Sequence, residues 1–324
     1  MSRPRSGTTS GRQGGFALIA VLLVLAFMAI IGAEFAYSMR LEATAARVYK
    51  ETLIAGHLAE AGLEQAIREL AADFAFVGLG DDRQASAEEE CPLVFYSQAR
   101  LAIKRLPHRN VPLGAGQFSY CISDEEARYN LNIATADRLG RLLQGVGLDR
   151  QERDAIVDAL QDWRDPNEEH RLNGAESEDT YLELPVPYRS KNANLDSLAE
   201  LAQLKGVTTA LLEGEDGRPG LNSLATVKSP GQINLNTAPR AVLRALNLSD
   251  AELNEIEQQR RLGPYAAVPP RFSGRGLTVT SRTFRVEAQG LVDGQVRARL
   301  TAIVQKRSAD GSGEVDVLEW SGVR

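Results

Sequence analysis

The longest apolar stretch of the chain lies near its N-terminus and contains no charged residue. It covers eighteen residues, from Phe16 to Ala33, and reads FALIAVLLVLAFMAIIGA. At about 1.5 Å per residue, a helix of this length crosses most of a hydrocarbon layer about 30 Å thick. The pattern therefore predicts a single transmembrane helix.

The residues before this stretch are polar and basic. Arg3, Arg5 and Arg12 precede it, and no acid does. Because basic residues beside a span stay in the cytoplasm, the bulk of the chain is predicted to be exported. A conventional signal peptide is cut after its apolar region, whereas here the small residues Gly14 and Gly15 lie before that region.

This junction resembles the processing site of the type IV prepilin family. The resemblance implies a leader of residues 1–15, cleavage after Gly15 by a prepilin peptidase, and Phe16 as a methylated mature N-terminus. The apolar helix is then kept, with residues 16–38 as its transmembrane part. An ordinary uncleaved signal anchor is the alternative interpretation.

Ala20 is the fifth residue of the implied mature chain, where most pilin-like subunits carry a glutamate. A carboxylate in a bilayer costs roughly 2.5–3.5 kcal/mol, so it needs a partner charge. The resemblance implies that this partner is the amino terminus of the adjacent subunit in the fibre. A subunit without the glutamate lacks that contact, so Ala20 is interpreted as a determinant of the tip position. Glu34 lies about one helix length further on and cannot replace it.

Apolar residues continue at intervals of three and four from Glu34 to Leu70, which predicts an amphipathic helix whose second half packs on a soluble domain. Residues 92–106 and 117–123 read as strands and are predicted to form a hairpin on that helix. The segments 278–289 and 295–305 flank a strong hairpin-turn sequence at Asp293 and Gly294.

Between these two groups of strands the sequence is predominantly helical and contains a repeated phrase. Asn130-Leu131-Asn132-Ile133-Ala134-Thr135 recurs as Asn234-Leu235-Asn236-Thr237-Ala238-Pro239, and a helix is predicted after each copy. Residues 196–212 form a third unit of related design. Three helix-turn-helix units therefore read as an inserted domain that interrupts one α/β domain.

An ordered series of short motifs in this region resembles the K-type minor pseudopilins of type II secretion, the general secretion pathway protein K family. The motifs are Asp124-Glu125-Glu126, Asn130-Leu131-Asn132, residues 160–165 (LQDWRD), Gly174-Ala175-Glu176, Pro187-Tyr188-Arg189 with Lys191-Asn192, Leu198-Ala199-Glu200-Leu201 with Lys205-Gly206-Val207, and residues 233–238 (INLNTA). That family also lacks the glutamate at the fifth mature position.

The resemblance implies an α+β fold. A long pilin-like N-terminal transmembrane helix packs on a small antiparallel sheet, and a large all-α domain of helix-turn-helix (SAM-like) repeats is inserted. The expected segments are the leader 1–15, the transmembrane part 16–38, the first part of the pilin-like domain 39–127, the inserted domain 128–265, the second part of the pilin-like domain 266–306 and a C-terminal tail 307–324.

The same resemblance implies a function in assembly. The chain is expected in the inner membrane as a single-pass protein with its bulk in the periplasm, where it caps the pseudopilus and starts its assembly. The implied partners are the other minor pseudopilins, the major pseudopilin, the prepilin peptidase, the inner-membrane secretion platform and secreted substrates.

Composition narrows the remaining classes of function. The 324 residues carry 43 acids and 37 bases, for a net charge of -6, which argues against a general nucleic-acid binder. Three histidines far apart in sequence offer no zinc-site spacing, and no hydrolase or nucleotide-binding motif occurs, so no enzyme is predicted. Cys91 and Cys121 fall in the exported part, where either a disulfide or two buried free thiols is expected.

The segment 162–179 is rich in carboxylates and amides. Calcium takes six to eight oxygen ligands, which such a loop can supply, although a solvated acidic surface explains the composition equally well. The resemblance implies calcium in the inserted domain, and Asp165, Asn167, Glu176 and Asp179 are the predicted ligands.

Aromatic residues on either side of this loop are predicted to be structural. Trp163 lies on the apolar face of a predicted helix and is expected in the core. Tyr181 and Tyr188 are expected to anchor the loop rather than to form an exposed patch.

A second function class comes from the glycine turn Gly145-Val146-Gly147, which resembles helix-hairpin-helix modules that hold a nucleic-acid phosphate. A membrane-anchored DNA-uptake protein is thus the alternative function. Residues 128–265, however, hold 16 bases and 22 acids, a net charge of -6, and phosphate binding needs the opposite sign. No nucleic-acid partner is predicted.

Overall fold

The computed structural model describes residues 14–80, 91–307 and 313–323. By its internal packing the chain divides into two units, residues 1–54 and 55–324. Residues 1–13 of the predicted leader lie outside the described residues, and its last two residues, Gly14 and Gly15, begin the first helix.

Helices and strands alternate unevenly along the chain. The α-helices are α1 (Gly14–Ala71), α2 (Ala136–Gly145), α3 (Arg150–Arg164), α4 (Thr209–Glu213), α5 (Leu221–Leu224), α6 (Arg240–Ala245) and α7 (Asp250–Leu262). The strands are β1 (Phe76–Leu79), β2 (Leu93–Tyr96), β3 (Val111–Leu113), β4 (Gly116–Asp124), β5 (Tyr129–Asn130), β6 (Ala225–Thr226), β7 (Ile233–Asn234), β8 (Leu277–Thr278), β9 (Thr283–Val292), β10 (Gln295–Lys306) and β11 (Val315–Val323).

The second part of α1, from residue 55 onward, packs on a sheet as the amphipathic pattern predicts. Its buried face consists of small and aliphatic residues, namely Ala55, Leu58, Ala59, Leu63, Ala66 and Leu70. The approach is closest at Gly290 of β9, where a Cβ atom would overlap the backbone of Ala55. Only glycine therefore allows this separation between helix and sheet.

The sheet has five antiparallel strands in the order β11-β10-β9-β4-β3. The predicted hairpin around Asp293 and Gly294 is confirmed, because β9 and β10 pair across these residues. Both turn residues have positive φ, of 53° and 72°, as a two-residue hairpin turn of this type requires.

The predicted hairpin between residues 92–106 and 117–123 is wrong. Strand β2 pairs with β1, whereas β4 pairs with β3 and β9. After β2 the chain turns back on itself, since Ala102 pairs with Tyr96. Glu69 of α1 then fixes the following residues: its carboxylate accepts from the Leu106 amide at 3.1 Å and from Arg105 Nη2 at 3.0 Å. Cys91, which lies just before β2, forms a disulfide with Cys121 of β4.

The C-terminal segment 307–324, predicted as a tail, contains strand β11, which pairs with β10 at the end of the sheet. The sheet is therefore one strand wider than predicted. The boundary at 265 is also displaced, because Phe272 and Leu277 are buried in the hydrophobic core of the inserted domain. β8, which includes Leu277, pairs in parallel with β7.

The repeated Asn-Leu-Asn phrase builds the same local structure twice. In each copy the first asparagine side chain accepts from the amide two residues on: Asn130 from Asn132 at 2.8 Å, and Asn234 from Asn236 at 2.9 Å. The short strand that begins each phrase pairs in parallel with a second short strand: β5 with β6, and β7 with β8. The inserted region thus contains two small parallel sheets of two strands each as well as helices.

The third unit predicted at residues 196–212 is shorter than the other two. Ser197 caps a 3-10 helix over Leu198–Gln203 with a reciprocal Glu200 contact, and α4 has only five residues. Gly206, at a φ of 85°, turns the chain between them.

Candidate assembly and cation-binding sites

The first part of α1 presents apolar side chains on all sides. From Phe16 to Ile31 these side chains are exposed, and the helix is long and apolar enough to cross a membrane. Gly15 and Phe16, the predicted processing residues, lie in its first turn. Ala20 lies in the same charge-free stretch, and Glu34 is the first acid of the helix. The helix thus offers an apolar surface without a carboxylate near its start.

Asp124, Glu125 and Glu126 are buried where the chain leaves β4 for the inserted domain, a role that the sequence analysis did not assign. Asp124 accepts from the side chains of Asn234 at 2.9 Å and Ser281 at 2.7 Å. Burial raises the pKa of Asp124 and of Glu126. A hydrophobic pattern carries no signal for such a junction, because its members are polar.

Glu125 differs from its neighbours because two arginines face it. Arg128 lies 2.6 Å and Arg285 2.9 Å from its carboxylate oxygens. Burial raises the pKa of Glu125, but the two guanidinium groups outweigh burial and hold it below its usual range. Glu125 therefore stays ionised and links β9 to the start of the inserted domain.

The acidic loop 162–179 is organised around a fully buried carboxylate, that of Asp162. It accepts from the guanidinium of Arg171 at 2.5 Å and from the amide of Ala175 at 3.0 Å. A side chain at position 174 would overlap this carboxylate, so Gly174 is required for the loop to close. Arg171 thus compensates the charge of Asp162, while most carboxylates of the loop have no basic partner within it.

Three of the four predicted calcium ligands are bound to other groups of the loop. Asp165 pairs with Arg171 at 2.7 Å, and the Asn167 side-chain oxygen accepts from the Glu169 amide at 2.8 Å. Asp179 is half-exposed and accepts from the amide of Glu176 at 3.2 Å. In the part of the chain that the structure describes, no three acidic, histidine or cysteine side chains are grouped as a metal site.

Glu176, the fourth predicted ligand, is 2% exposed and has one oxygen without a hydrogen-bond partner. Its other oxygen accepts from Ser190 Oγ at 2.6 Å. Asn192 likewise has a buried side-chain oxygen without a partner, and its amide nitrogen donates to Glu168 at 2.9 Å. Burial, with the nearby charges of Glu168, Asp162 and Asp165, raises the pKa of Glu176.

These unpaired oxygens test whether a cation fits here. A buried carbonyl or carboxylate oxygen without a donor is unfavourable, and calcium prefers such oxygens as ligands. Glu176, Asn192 and Glu168 are the donors best suited to hold calcium. The sequence analysis did not select Glu168 and Asn192, because the contact between them joins residues 24 positions apart.

Aromatic stacking fixes the far end of the acidic loop. Tyr181 stacks on Tyr188 with ring centroids 5.1 Å apart and meets Trp163 edge-on at 5.4 Å. Trp163 and Tyr181 are buried, and the Tyr188 hydroxyl donates to the carbonyl of Gln203 at 2.6 Å. The prediction of a core tryptophan and of loop-anchoring tyrosines is confirmed.

The glycine turn that suggested nucleic-acid binding is followed by α3. The N-terminal amides of this helix are capped by side chains of the protein itself. The Asp149 carboxylate accepts from the Glu152 amide at 2.9 Å, and Glu152 accepts from the Asp149 amide at 3.0 Å. Ser249 and Glu252 form the same reciprocal cap on α7. Acidic caps at both hairpins disfavour a phosphate there.

The chain is similar to known proteins in both sequence and structure. A family model described as type II secretion system protein K matches residues 122–214. A type II secretion system protein K from Klebsiella pneumoniae is 28% identical over 272 residues, 79% of this chain and 76% of its own length. A Pseudomonas aeruginosa protein of the same description is 28% identical over 244 residues, 72% of this chain and 68% of its own length.

Residues 122–214 match the protein K domain of type II secretion, and the chain resembles that family over most of its length. Minor pseudopilins of type II secretion are structural components, and the resemblance supports such a role rather than an enzymatic one. The fold agrees with one chain of the solved GspK–GspI–GspJ complex from enterotoxigenic Escherichia coli. The TM-score is 0.59 at 18% identity, covering 86% of this chain and 98% of that one. The predicted pilin-like α+β fold is confirmed.

Proposed function

We propose that the protein is a minor pseudopilin of type II secretion that caps the tip of the pseudopilus and starts its assembly together with other minor pseudopilins. The observation that carries the proposal is the absence of a carboxylate at Ala20, the fifth residue after the cleavage site. A subunit ahead of it in the fibre would find no acid to pair with its amino terminus. A GspK-type chain in complex with two other such proteins, in the solved neighbour, supports this choice of partners.

The proposal includes an order of events in the membrane. A prepilin peptidase cleaves after Gly15 and methylates Phe16, and the apolar part of α1 holds the protein in the inner membrane beside the secretion platform. The remaining chain lies in the periplasm, an oxidising compartment in which a disulfide such as Cys91–Cys121 persists. The helix then leaves the bilayer by packing against the helices of other minor pseudopilins and of the major pseudopilin, and the inserted domain meets secreted substrates at the tip.

Calcium is the proposed cofactor of the inserted domain. The two unpaired buried oxygens of Glu176 and Asn192, with Glu168 beside them, are the groups that would hold it. A bound cation would neutralise their shared negative charge and fix the acidic loop against the residues around Ser190. The loop would then keep one conformation on the exposed end of the fibre.

The substitution Ala20→Glu tests the tip position, because it restores the missing carboxylate without touching the residues from 55 onward. On isolated fibres, immunogold labelling should mark only the ends for the natural protein and positions along the length for Ala20→Glu. Val24→Glu is the matched control, since it adds the same charge one helical turn further on. Labels that stay at the ends in Ala20→Glu would refute the proposal.

A further inference from the structure

The two edges of the five-stranded sheet differ in how they are protected. The edge strand β3 has three residues, one of them Pro112, which has no amide proton to offer. The opposite edge strand, β11, has nine residues with no proline, lysine or arginine among them. Exposed edges of that length usually carry such residues, because they pair readily with other chains.

β11 also exposes large apolar side chains. Val317 is 44%, Leu318 40% and Trp320 47% exposed. Val317 lies opposite Val304 and Trp320 opposite Ala302 on β10, both of which are buried. The extra residue at Leu318 in this register brings Val317 and Trp320 to one face of the sheet, the face on which the second part of α1 packs. The apolar face of the sheet therefore continues beyond the part that is covered.

The charge of β11 indicates which kind of strand could pair with its free edge. It carries Asp316 and Glu319 and no basic residue. Asp316 pairs with Arg307 at 2.6 Å, and Glu319 lies on the face away from α1, opposite Ile303. Pairing with a second copy of β11 would place further acids beside Asp316 and Glu319, and like charges on neighbouring strands are destabilising. A partner strand with alternating apolar and basic residues fits both faces of the sheet. Its apolar residues would lie beside Val317 and Trp320, and its basic residues beside Glu319.

We propose that β11 is a docking edge for an extended segment of another pilin-like subunit, which adds to the sheet as a sixth strand. Its backbone pairs with the outward amide and carbonyl groups of β11, its apolar side chains cover Val317 and Trp320, and its basic side chains lie beside Glu319. This is strand addition, in which main-chain hydrogen bonds supply affinity and alternate side chains supply specificity. The inference rests on the proposed function, because it names the surface by which that assembly forms.

Hydrogen exchange on the full chain tests it, alone and co-purified with the other minor pseudopilins in the same detergent. Added main-chain bonds should slow exchange of the amides of residues 315–323 by about tenfold or more, since exchange then requires opening of the new ladder. A partner that covers only side chains would leave these amides unchanged, and that result would overturn the inference.

Two lysine variants and one control complete the experiment. Val317→Lys and Trp320→Lys place a charge on the apolar docking face, so both should abolish the protection of β11. Leu113→Lys adds the same charge at the opposite edge, where Leu113 is 48% exposed, and should leave the protection intact. Equal melting temperatures of the three variants would show that the fold is retained.

The outcomes separate this inference from the proposed function. If the complex forms and β11 exchanges as fast as in the chain alone, strand addition is refuted and the assembly function stands. If no complex forms with the natural chain, the assembly function fails. Protection that grows with the concentration of the chain alone would indicate pairing of two copies, which also refutes the inference.

Discussion

Arg164 and Arg260 make the same contacts in the two copies of the repeated phrase. Arg164 donates to the carbonyls of Leu131 and Ala134, and Arg260 donates to those of Leu235 and Ala238. Each arginine comes from the second helix of its hairpin, α3 or α7. Burial lowers the pKa of both, that of Arg260 to about 10.

Replacing either arginine by alanine leaves two carbonyls without their charged donor. Such hydrogen bonds are worth about 1.5–3 kcal/mol each, so Arg164→Ala and Arg260→Ala should each lower the free energy of unfolding by about 3 kcal/mol. Denaturant unfolding of the detergent-solubilised chain measures the loss. Arg150→Ala, at an exposed position of α3, is the control and should change stability by less than about 0.5 kcal/mol. Loss of equal size in all three would contradict the assigned role.

Alanine substitutions at Gly290 and at Gly140 should change the free energy of unfolding in opposite directions. At Gly290 the added methyl group would overlap the backbone of Ala55, whereas nothing lies near position 140 of α2. Gly290→Ala should therefore destabilise by about 3 kcal/mol because helix and sheet must separate. Gly140→Ala should stabilise by about 0.5–1 kcal/mol through helix propensity. Melting temperatures of the two variants test the pair, and a neutral Gly290→Ala would disprove the close contact.

The buried ion pairs of Glu125 predict a pH dependence. Because its pKa is lower in the folded chain than the ordinary value of 4.5, its stabilising contribution is complete above about pH 4.5 and is lost as the pH falls below that value. Glu125→Gln should cost about 3 kcal/mol at pH 7, since two buried arginines lose their partner.

The same variant should differ less from the natural protein at pH 3, because below about pH 4.5 the unfolded natural chain binds a proton at Glu125 more readily than the folded chain does. Asp124 and Glu126 are present in both proteins, so their titration cancels in the difference. Glu64→Gln, on the exposed side of α1, should show no difference at either pH. A gap that stays constant between pH 7 and pH 3 would exclude the predicted ionisation of Glu125.

Calcium should raise the melting temperature of the chain, and a chelator should reverse the effect. At a free concentration one hundred times the dissociation constant, the stabilisation would be about 2.7 kcal/mol. Glu176→Gln should abolish the response, because it removes the buried charge. Glu178→Gln is the control, since Glu178 is exposed and pairs with Arg189 at 3.1 Å. Calorimetry without a calcium heat would dismiss the site.

Mass spectrometry of the protein taken from membranes should find a chain that starts at Phe16 and carries one added methyl group. Gly15→Leu should block the cleavage, because the small residue before the scissile bond is lost. The unprocessed chain should then keep Met1 or Ser2 at its start. A natural protein that starts at Met1 would favour the uncleaved anchor, and one that lacks the apolar stretch would favour a conventional signal peptide.

Local signals in the sequence predicted the elements that depend on neighbouring residues. The charge-free stretch and the three-four pattern gave α1, the Asp293-Gly294 turn gave the β9–β10 hairpin, and the repeated asparagines marked two equivalent units. In each case the decisive contacts lie within a few residues along the chain, so the pattern carries the necessary information.

Partners far apart in sequence were not predictable in the same way. β2 pairs with β1 rather than β4, and residues 105 and 106 after it are bound by Glu69, 36 and 37 positions earlier in the chain. Strand β11 has apolar residues on both faces and a bulge in its register, so it lacks the simple alternation that marks a strand. The repeated asparagines were expected as helix caps, yet Asn132 and Asn236 also bind backbone groups 63 and 29 residues away.

The candidate cation site shows the same limit. Its acidic loop and Glu176 are evident in the sequence, because carboxylates are dense there. Asn192 belongs to a different turn, in a left-handed conformation with a φ of 51°. Its unpaired oxygen becomes visible only when the fold is known.

The inserted domain departs from β4 and returns to β9 at two residues that lie opposite each other, Asp124 and Phe284. A short turn could therefore replace the whole excursion and leave an uninterrupted hairpin. The sheet domain and the inserted domain can accordingly change size and sequence independently during evolution, provided that the hydrogen bonds of Asp124 and the ion pairs of Glu125 at their junction are kept.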